Sequence, residues 1–139
     1  MSQPFVLFLD FDGVLHPRTS GTCRHLASLE AVLRRAPHVQ VVVSSTWKHQ
    51  NSLQDLRGWF SADIQERVID VTPDLAQGKG SRQQEIQAWL KRHPTLRWLA
   101  LDDEPGLFEP NCPWLYLTQT ATGLTAADLL ALEALFQRV

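Results

Sequence analysis

Short apolar runs and amphipathic stretches alternate along this chain, and the alternation predicts most of its elements. Residues 5–9 (FVLFL) form an unbroken apolar run between Pro4 and Asp10. Such a run is expected of a strand buried on both faces. Residues 16–25 are rich in Gly, Thr, Ser and Pro, which predicts a loop, either a flap or a tight hairpin. Leu26, Leu29, Val32, Leu33 and Ala36 then recur at helical spacing and stop at Pro37. A second buried strand is predicted over residues 39–43, closed by Ser44, Ser45 and Thr46. Leu53, Leu56, Trp59 and Phe60 predict a short amphipathic helix, and residues 68–71 a third strand. Ser81-Arg82-Gln83-Gln84 has the pattern of a capping box. The helix it opens carries Ile86, Trp89 and Leu90, and Pro94 stops it. Residues 96–101 and 114–117 predict two more strands. Thr125-Ala126-Ala127-Asp128, again box-like, opens a last helix with Leu129, Leu130, Leu132, Leu135 and Phe136. Trp59, Trp89, Trp98 and Trp114 fall at positions expected in the core.

Strand, helix, strand, helix, repeated, predicts an α/β three-layer, Rossmann-like domain with a mainly parallel five-stranded sheet. There is no internal repeat or linker, so residues 1–139 are expected to form one domain. In parallel sheets ligands bind at the carboxyl ends of the strands. The polar residues of interest fall there: Asp10 and Asp12 after the first strand, Ser44 to Thr46 after the second, Asp102 and Asp103 after the fourth.

Composition narrows the picture by exclusion. The chain has 139 residues, 44% hydrophobic and 20% charged, with a formal net charge of -2. A domain of this size buries roughly 68–70% of its unfolded surface and needs no disulfide or metal to fold. The charge balance announces no polyanion binder, although a local basic groove is compatible with it. Cys23 and Cys112 are far apart and have no metal-like spacing, as expected of idle thiols in a reducing compartment. The N-terminal apolar run is interrupted by Asp10 and lacks a basic leader, and no run approaches a membrane span. A cytoplasmic protein without membrane contact is expected.

Two carboxylates two residues apart, just past a buried strand, are costly unless compensated. A divalent cation with hard oxygen ligands compensates them, and magnesium fits that description. Gly13 lets the backbone turn sharply beside the pair, and Asp102 or Asp103 completes the metal site. Lys79 lies just before a predicted helix N-terminus, where a cation opposes the helix dipole unless an anion sits between them. Ser44 or Ser45 is placed to hydrogen-bond a phosphoryl oxygen. Nucleophile, acid/base, metal and donors are the parts of phosphoryl transfer.

These residues resemble the four motifs of the haloacid dehalogenase (HAD) superfamily. FLDFDGVLHP resembles the first, VVVSS the second, Lys79 the third and ALDD the fourth, in the family's order across residues 5–103. The resemblance implies that Asp10 attacks phosphorus and becomes an aspartyl-phosphate. It implies that Asp12 protonates the leaving oxygen and later activates water, its backbone carbonyl binding the metal. Ser44 is the preferred phosphoryl contact, with Ser45 its neighbouring alternative. Lys79 steadies Asp10 and the phosphate charge, and Asp10, Asp12, Asp102 and Asp103 form the magnesium site. An acid at the second position of the first motif implies a phosphatase or phosphomutase. The intervals between motifs leave no room for the family's mobile cap, so a capless, open site is expected. DGVLHP, SSTWK and LDDEP are also similar to the small HAD domains of Swiss-army-knife RNA repair proteins, which implies RNA or DNA end phosphates as substrate. Trp47 and Lys48 are then placed to stack on a base and meet a phosphate, while Trp47 equally suits packing. His16 is either a site residue or a structural element of its loop.

Two other functions use similar parts. A receiver-type signalling module also combines acids, a hydroxyl, a lysine and magnesium, but phosphorylates an Asp ending the third strand, where this chain has Val71-Thr72-Pro73. A binding protein on a retired HAD scaffold is the other, and the intact motifs speak against it.

Overall fold

The computed structural model describes residues 4–75, 80–95 and 97–137. Five strands form one sheet: β1 (Phe5–Leu9), β2 (Val39–Val43), β3 (Val68–Val71), β4 (Trp98–Asp102) and β5 (Leu115–Leu117). Every pairing is parallel and the order is β3-β2-β1-β4-β5. Helices α1 (Leu26–Arg34), α2 (Leu53–Arg57), α3 (Ala62–Gln65), α4 (Ser81–Arg92) and α5 (Ala126–Gln137) connect or follow them.

The unbroken apolar run of β1 is explained by two cores. Phe5, Leu7 and Leu9 pack with Leu29, Leu33 and Phe136 on one face, whereas Val6 and Phe8 pack with Ile86 and Trp89 of α4 on the other. The period of two along a strand assigns the faces. It places Ala100 on the α4 face as well, so Asp10 and Asp102, the next even positions, leave their strands on the side from which α4 approaches. Leu9 is in register with both Val43 and Leu101. Crossovers from β1 and β4 run in opposite directions across the sheet, so the crevice at their carboxyl ends is the topological switch point, where such folds bind ligands.

A receiver module orders its strands 2-1-3-4-5. Here β2 separates β3 from β1, so that alternative is excluded by topology. Asp70 lies within β3 and accepts from Trp89 Nε1 at 2.8 Å, a packing role. Among the described residues no cap domain is present.

Several local expectations are corrected. The short helix expected at 53–60 is present but ends at Arg57, with Gly58 as its C-cap, so Trp59 and Phe60 fall beyond it; a further short helix, α3, follows from an N-cap at Ser61. The capping box expected at Ser81 is absent. The N-cap is Gly80, in the left-handed conformation at φ 75, with no side-chain cap bond, and Ser81 is already helical. The box at Thr125 is present, with Thr125 N donating to Asp128 Oδ2 and Asp128 N to Thr125 Oγ1. Trp89 is buried, but Trp59 and Trp114 are 45% and 48% exposed, so those two do not belong to the core. Both lie near chain turns, where apolar type alone does not specify a side. Cys23 and Cys112 are free thiols, Cys23 buried. No helix among the described residues is long and apolar enough to cross a membrane.

Candidate active site

The site is assembled from strand ends. Asp10 follows β1, and its amide donates to Leu101 O of β4 at 3.0 Å. Asp102 is the last residue of β4, and Asp103 follows it. Ligand atoms of Asp10, Asp102 and Asp103 all lie within 4.8 Å of one another, and all three residues are buried. Gly13, at φ 74, makes room for this cluster: a Cβ there would overlap the Asp103 carboxylate. The Gly13 carbonyl is held by Thr118 Oγ1 at 2.6 Å.

One cation reaches the cluster among the described residues. Arg82 Nη1 lies 2.7 Å from Asp102 Oδ2 and 3.3 Å from Asp10 Oδ2. Burial disfavours the Arg82 charge, but Asp102 and Asp10 more than restore it, and the guanidinium is held charged. Arg82 was not expected from the sequence. A cation near a helix N-terminus makes sense with an anion beyond it, and this holds for Arg82 in the first turn of α4 as it does for Lys79 just before the helix in sequence. Lys79 itself lies outside the described residues.

Three buried carboxylates therefore face one guanidinium. Burial, and next the Asp102 charge, push the Asp10 carboxyl well above its ordinary range, with Arg82 pulling the other way. Burial raises Asp102 to about 6 despite Arg82. The excess negative charge is what a divalent cation relieves. A specific atom fits one: Asp103 Oδ1 is buried with no hydrogen-bond partner. Asp102, by contrast, has both oxygens engaged. Its Oδ1 accepts from the amides of Asp103 and Glu104, at 2.8 and 3.0 Å, and its Oδ2 from Arg82. Of the two candidate ligands, Asp103 offers the free lone pairs and Asp102 orders the turn. Asp12 contributes no side-chain oxygen to this cluster; its expected ligand is a backbone carbonyl.

Asp12 has different surroundings. Its Oδ1 is 2.7 Å from His16 Nε2 and 3.1 Å from Trp47 Nε1. It lines an open cavity of about 380 Å³ together with Asp10, Ser45, Lys48 and Arg82. Ser45, not the preferred Ser44, lines this cavity. Ser45 Oγ also accepts from Trp47 N at 3.3 Å and caps the 3-10 turn Thr46–His49. Ser44 Oγ is buried without a partner. Lys48 is committed elsewhere: its Nζ reaches Thr72 Oγ1, Pro73 O and Glu85 Oε1 at 3.1, 3.3 and 2.6 Å. Three partners use its three protons, so it braces the exit of β3 against α4 at the cavity wall. Trp47 packs on Phe11 and points its indole N–H at Asp12, so its polar atom is engaged within the protein. His16 is fully buried and belongs to the site through Asp12.

Comparison with curated proteins and with solved structures found no match. A family model described as the HAD domain in Swiss Army Knife RNA repair proteins matches residues 6–129. That span takes in β1 through the first residues of α5, with Asp10, Asp12, Ser45, Arg82, Asp102 and Asp103. On this match, and on a five-stranded parallel sheet with its acidic cluster at the switch point, the chain belongs to the family of HAD domains in Swiss Army Knife RNA repair proteins.

Proposed function

We propose that this domain is a magnesium-dependent phosphomonoesterase that works through an aspartyl-phosphate on Asp10 and acts on phosphates at nucleic-acid ends. The observation that carries the reading is the pairing of two differently housed acids at one cavity. Asp10 sits in a buried charged cluster, and Asp12 sits two residues on, with its Oδ1 beside ring nitrogens of His16 and Trp47.

In the first step a carboxylate oxygen of Asp10 forms a bond to phosphorus. The bond from phosphorus to the leaving oxygen breaks, and that oxygen takes a proton from Asp12. In the second step Asp12 takes a proton from water as the water oxygen bonds to phosphorus. The acyl-phosphate bond to Asp10 breaks, releasing phosphate and restoring both acids. Arg82 and the Ser45 hydroxyl are the donors nearest the phosphoryl oxygens. Asp10, Asp103 and the Asp12 carbonyl would hold magnesium, with Asp102 supporting them. The ion would neutralise charge on the phosphoryl group and keep Asp10 ionised. Lys79 is assigned with Arg82 to the positive side of the site on the resemblance alone. A nucleic-acid end suits an open cavity with no cap above it among the described residues, and the family name points to RNA repair.

The test is release of phosphate from p-nitrophenyl phosphate and from 3′- and 5′-phosphorylated oligonucleotides, with magnesium and with EDTA. Magnesium-dependent release, with oligonucleotide ends preferred over sugar phosphates, is the expected result. Full activity in EDTA would refute the metal assignment. A beryllium fluoride adduct on any residue but Asp10 would refute the nucleophile.

A further inference from the structure

The cradle around Asp12 contains an ordered chain of hydrogen bonds whose directions can be worked out. The Cys23 amide is 3.0 Å from His16 Nδ1. An amide N–H can only donate, so Nδ1 must present its lone pair. His16 is thereby fixed as the neutral tautomer with its proton on Nε2. That proton points at Asp12 Oδ1, 2.7 Å away. The indole N–H of Trp47, 3.1 Å away, has no acceptor capacity and donates to the same oxygen. Asp12 Oδ1 thus accepts two N–H groups from two different segments, and Oδ2 receives neither.

We propose that His16 and Trp47 are positioning residues that lock the Asp12 carboxyl in one orientation, reserving Oδ1 for their two N–H groups and leaving Oδ2 as the atom that exchanges the proton with the leaving oxygen and with water. The inference rests on the phosphatase reading and deepens it, assigning the acid/base step to one atom. An oxygen already accepting two N–H donors is a poor place for a proton, so the proton given to the leaving oxygen comes from Oδ2 and the one taken from water returns there. The housing is suited to the task. His16 is fully buried, and its ring lies 5.6 Å from that of Trp47. Trp47 is fixed between Phe11 and Trp59, with ring centroids at 4.8 and 5.7 Å. Its turn starts at Ser45, so the residue facing the phosphoryl group and the one orienting the acid are set by one short element. Without these two donors a half-exposed Asp rotates among staggered conformers, and only some present an oxygen to the leaving group.

The experiment is single-turnover kinetics of the first transfer in magnesium, with an alkyl phosphate and with p-nitrophenyl phosphate. Trp47→Phe keeps the aromatic packing and removes only the N–H. It is expected to slow the alkyl substrate about ten-fold, a part of the roughly 10²–10⁴-fold that general acid catalysis contributes, and p-nitrophenyl phosphate, whose leaving group needs no proton, about two-fold. KM should change little. In an Asp12→Asn background the further loss on Trp47→Phe should vanish, since the group being positioned is gone. His16→Gln, which returns an N–H near Nε2, should recover most of the rate lost in His16→Leu. Nitrogen-resolved NMR of the wild type should show His16 protonated at Nε2. Equal slowing of both substrates, an undiminished Trp47→Phe effect beside Asp12→Asn, or a proton on Nδ1 would overturn the proposal while leaving the phosphatase reading intact. A wild type that turns over neither substrate overturns the phosphatase reading and this inference with it.

Discussion

Asp10 and Asp12 are the same residue type, two positions apart, in opposite kinds of surroundings. Asp10 is buried among charges: two other carboxylates and one guanidinium. Asp12 is partly exposed, among neutral donors that lie along one of its oxygens. Burial among like charges makes a carboxylate expensive to ionise, so the Asp10 cluster calls for a cation. Neutral donors impose little charge and mainly fix direction. On the proposed reading, the difference separates two jobs that a pair of aspartates cannot otherwise divide, being a nucleophile and moving a proton.

The severest way to break the comparison is to remove the proposed nucleophile. Asp10→Asn is expected to lower kcat on the order of 10⁴-fold or more and to abolish the covalent intermediate, measured by trapping with labelled substrate. Its Tm without metal should hold or rise, because repulsion with Asp102 is relieved. Asp12→Asn should cost about 10²–10⁴-fold on alkyl or ribose phosphates and much less in the first transfer from p-nitrophenyl phosphate. An Asp12 variant insensitive to the leaving group would erase the division of labour. Ser45→Ala is expected to lower kcat by about 10²-fold, the loss of one donor to the phosphoryl oxygens. Ser44→Ala should leave kcat within about two-fold, because the Ser44 hydroxyl has no partner and does not line the cavity. Reversal of that order would return the phosphoryl contact to Ser44.

The buried cluster also makes stability depend on pH. Burial pushes the Asp102 carboxyl up from its ordinary 3.8 to about 6, and burial raises Asp10 as well. An acid with a raised folded pKa holds its proton more tightly folded than unfolded. Stability is then greatest below the unfolded pKa and is lost as pH rises through the window up to the folded one. In EDTA, Tm is therefore expected to be lower at pH 7.5 than at pH 5. Magnesium should raise Tm more at pH 7.5, where the carboxylates it binds are ionised. A Tm in EDTA that rises from pH 5 to 7.5 would contradict the charge imbalance. The smallest effect is at the rim of the fold: Thr125→Ala removes the cap of α5 and should cost about 1 kcal/mol, read from denaturant unfolding, with no change in activity.

Much of the architecture was legible in the chain because burial writes itself into periodicity. The runs at 5–9, 39–43 and 68–71 are strands at the expected bounds, since a central parallel strand needs apolar residues on both faces. The expected acids stand at the ends of β1 and β4 for a related reason: an apolar run stops where the chain meets water or a ligand. Arg82 was missed because its partners are 20 and 72 residues away by number and become neighbours only when α4 crosses the sheet. That Ser45 rather than Ser44 lines the cavity was equally hidden, because the chain turns directly after β2 and the side chains no longer alternate. Trp59 and Trp114 misled because an aromatic residue reports a preference for burial, and the sides available near a turn are set by neighbours from elsewhere in the chain.

The sequence by itself determined the strand and helix pattern, the parallel α/β class and the set of acids at the carboxyl edge, because these follow from local spacing and from the cost of burying charge. Only the tertiary structure decided the sheet order, the arginine that balances Asp10 and Asp102, the free oxygen of Asp103 and the two N–H groups that orient Asp12. Each of these depends on a direction or a distance between segments remote in sequence, and residue spacing along the chain carries no information about either.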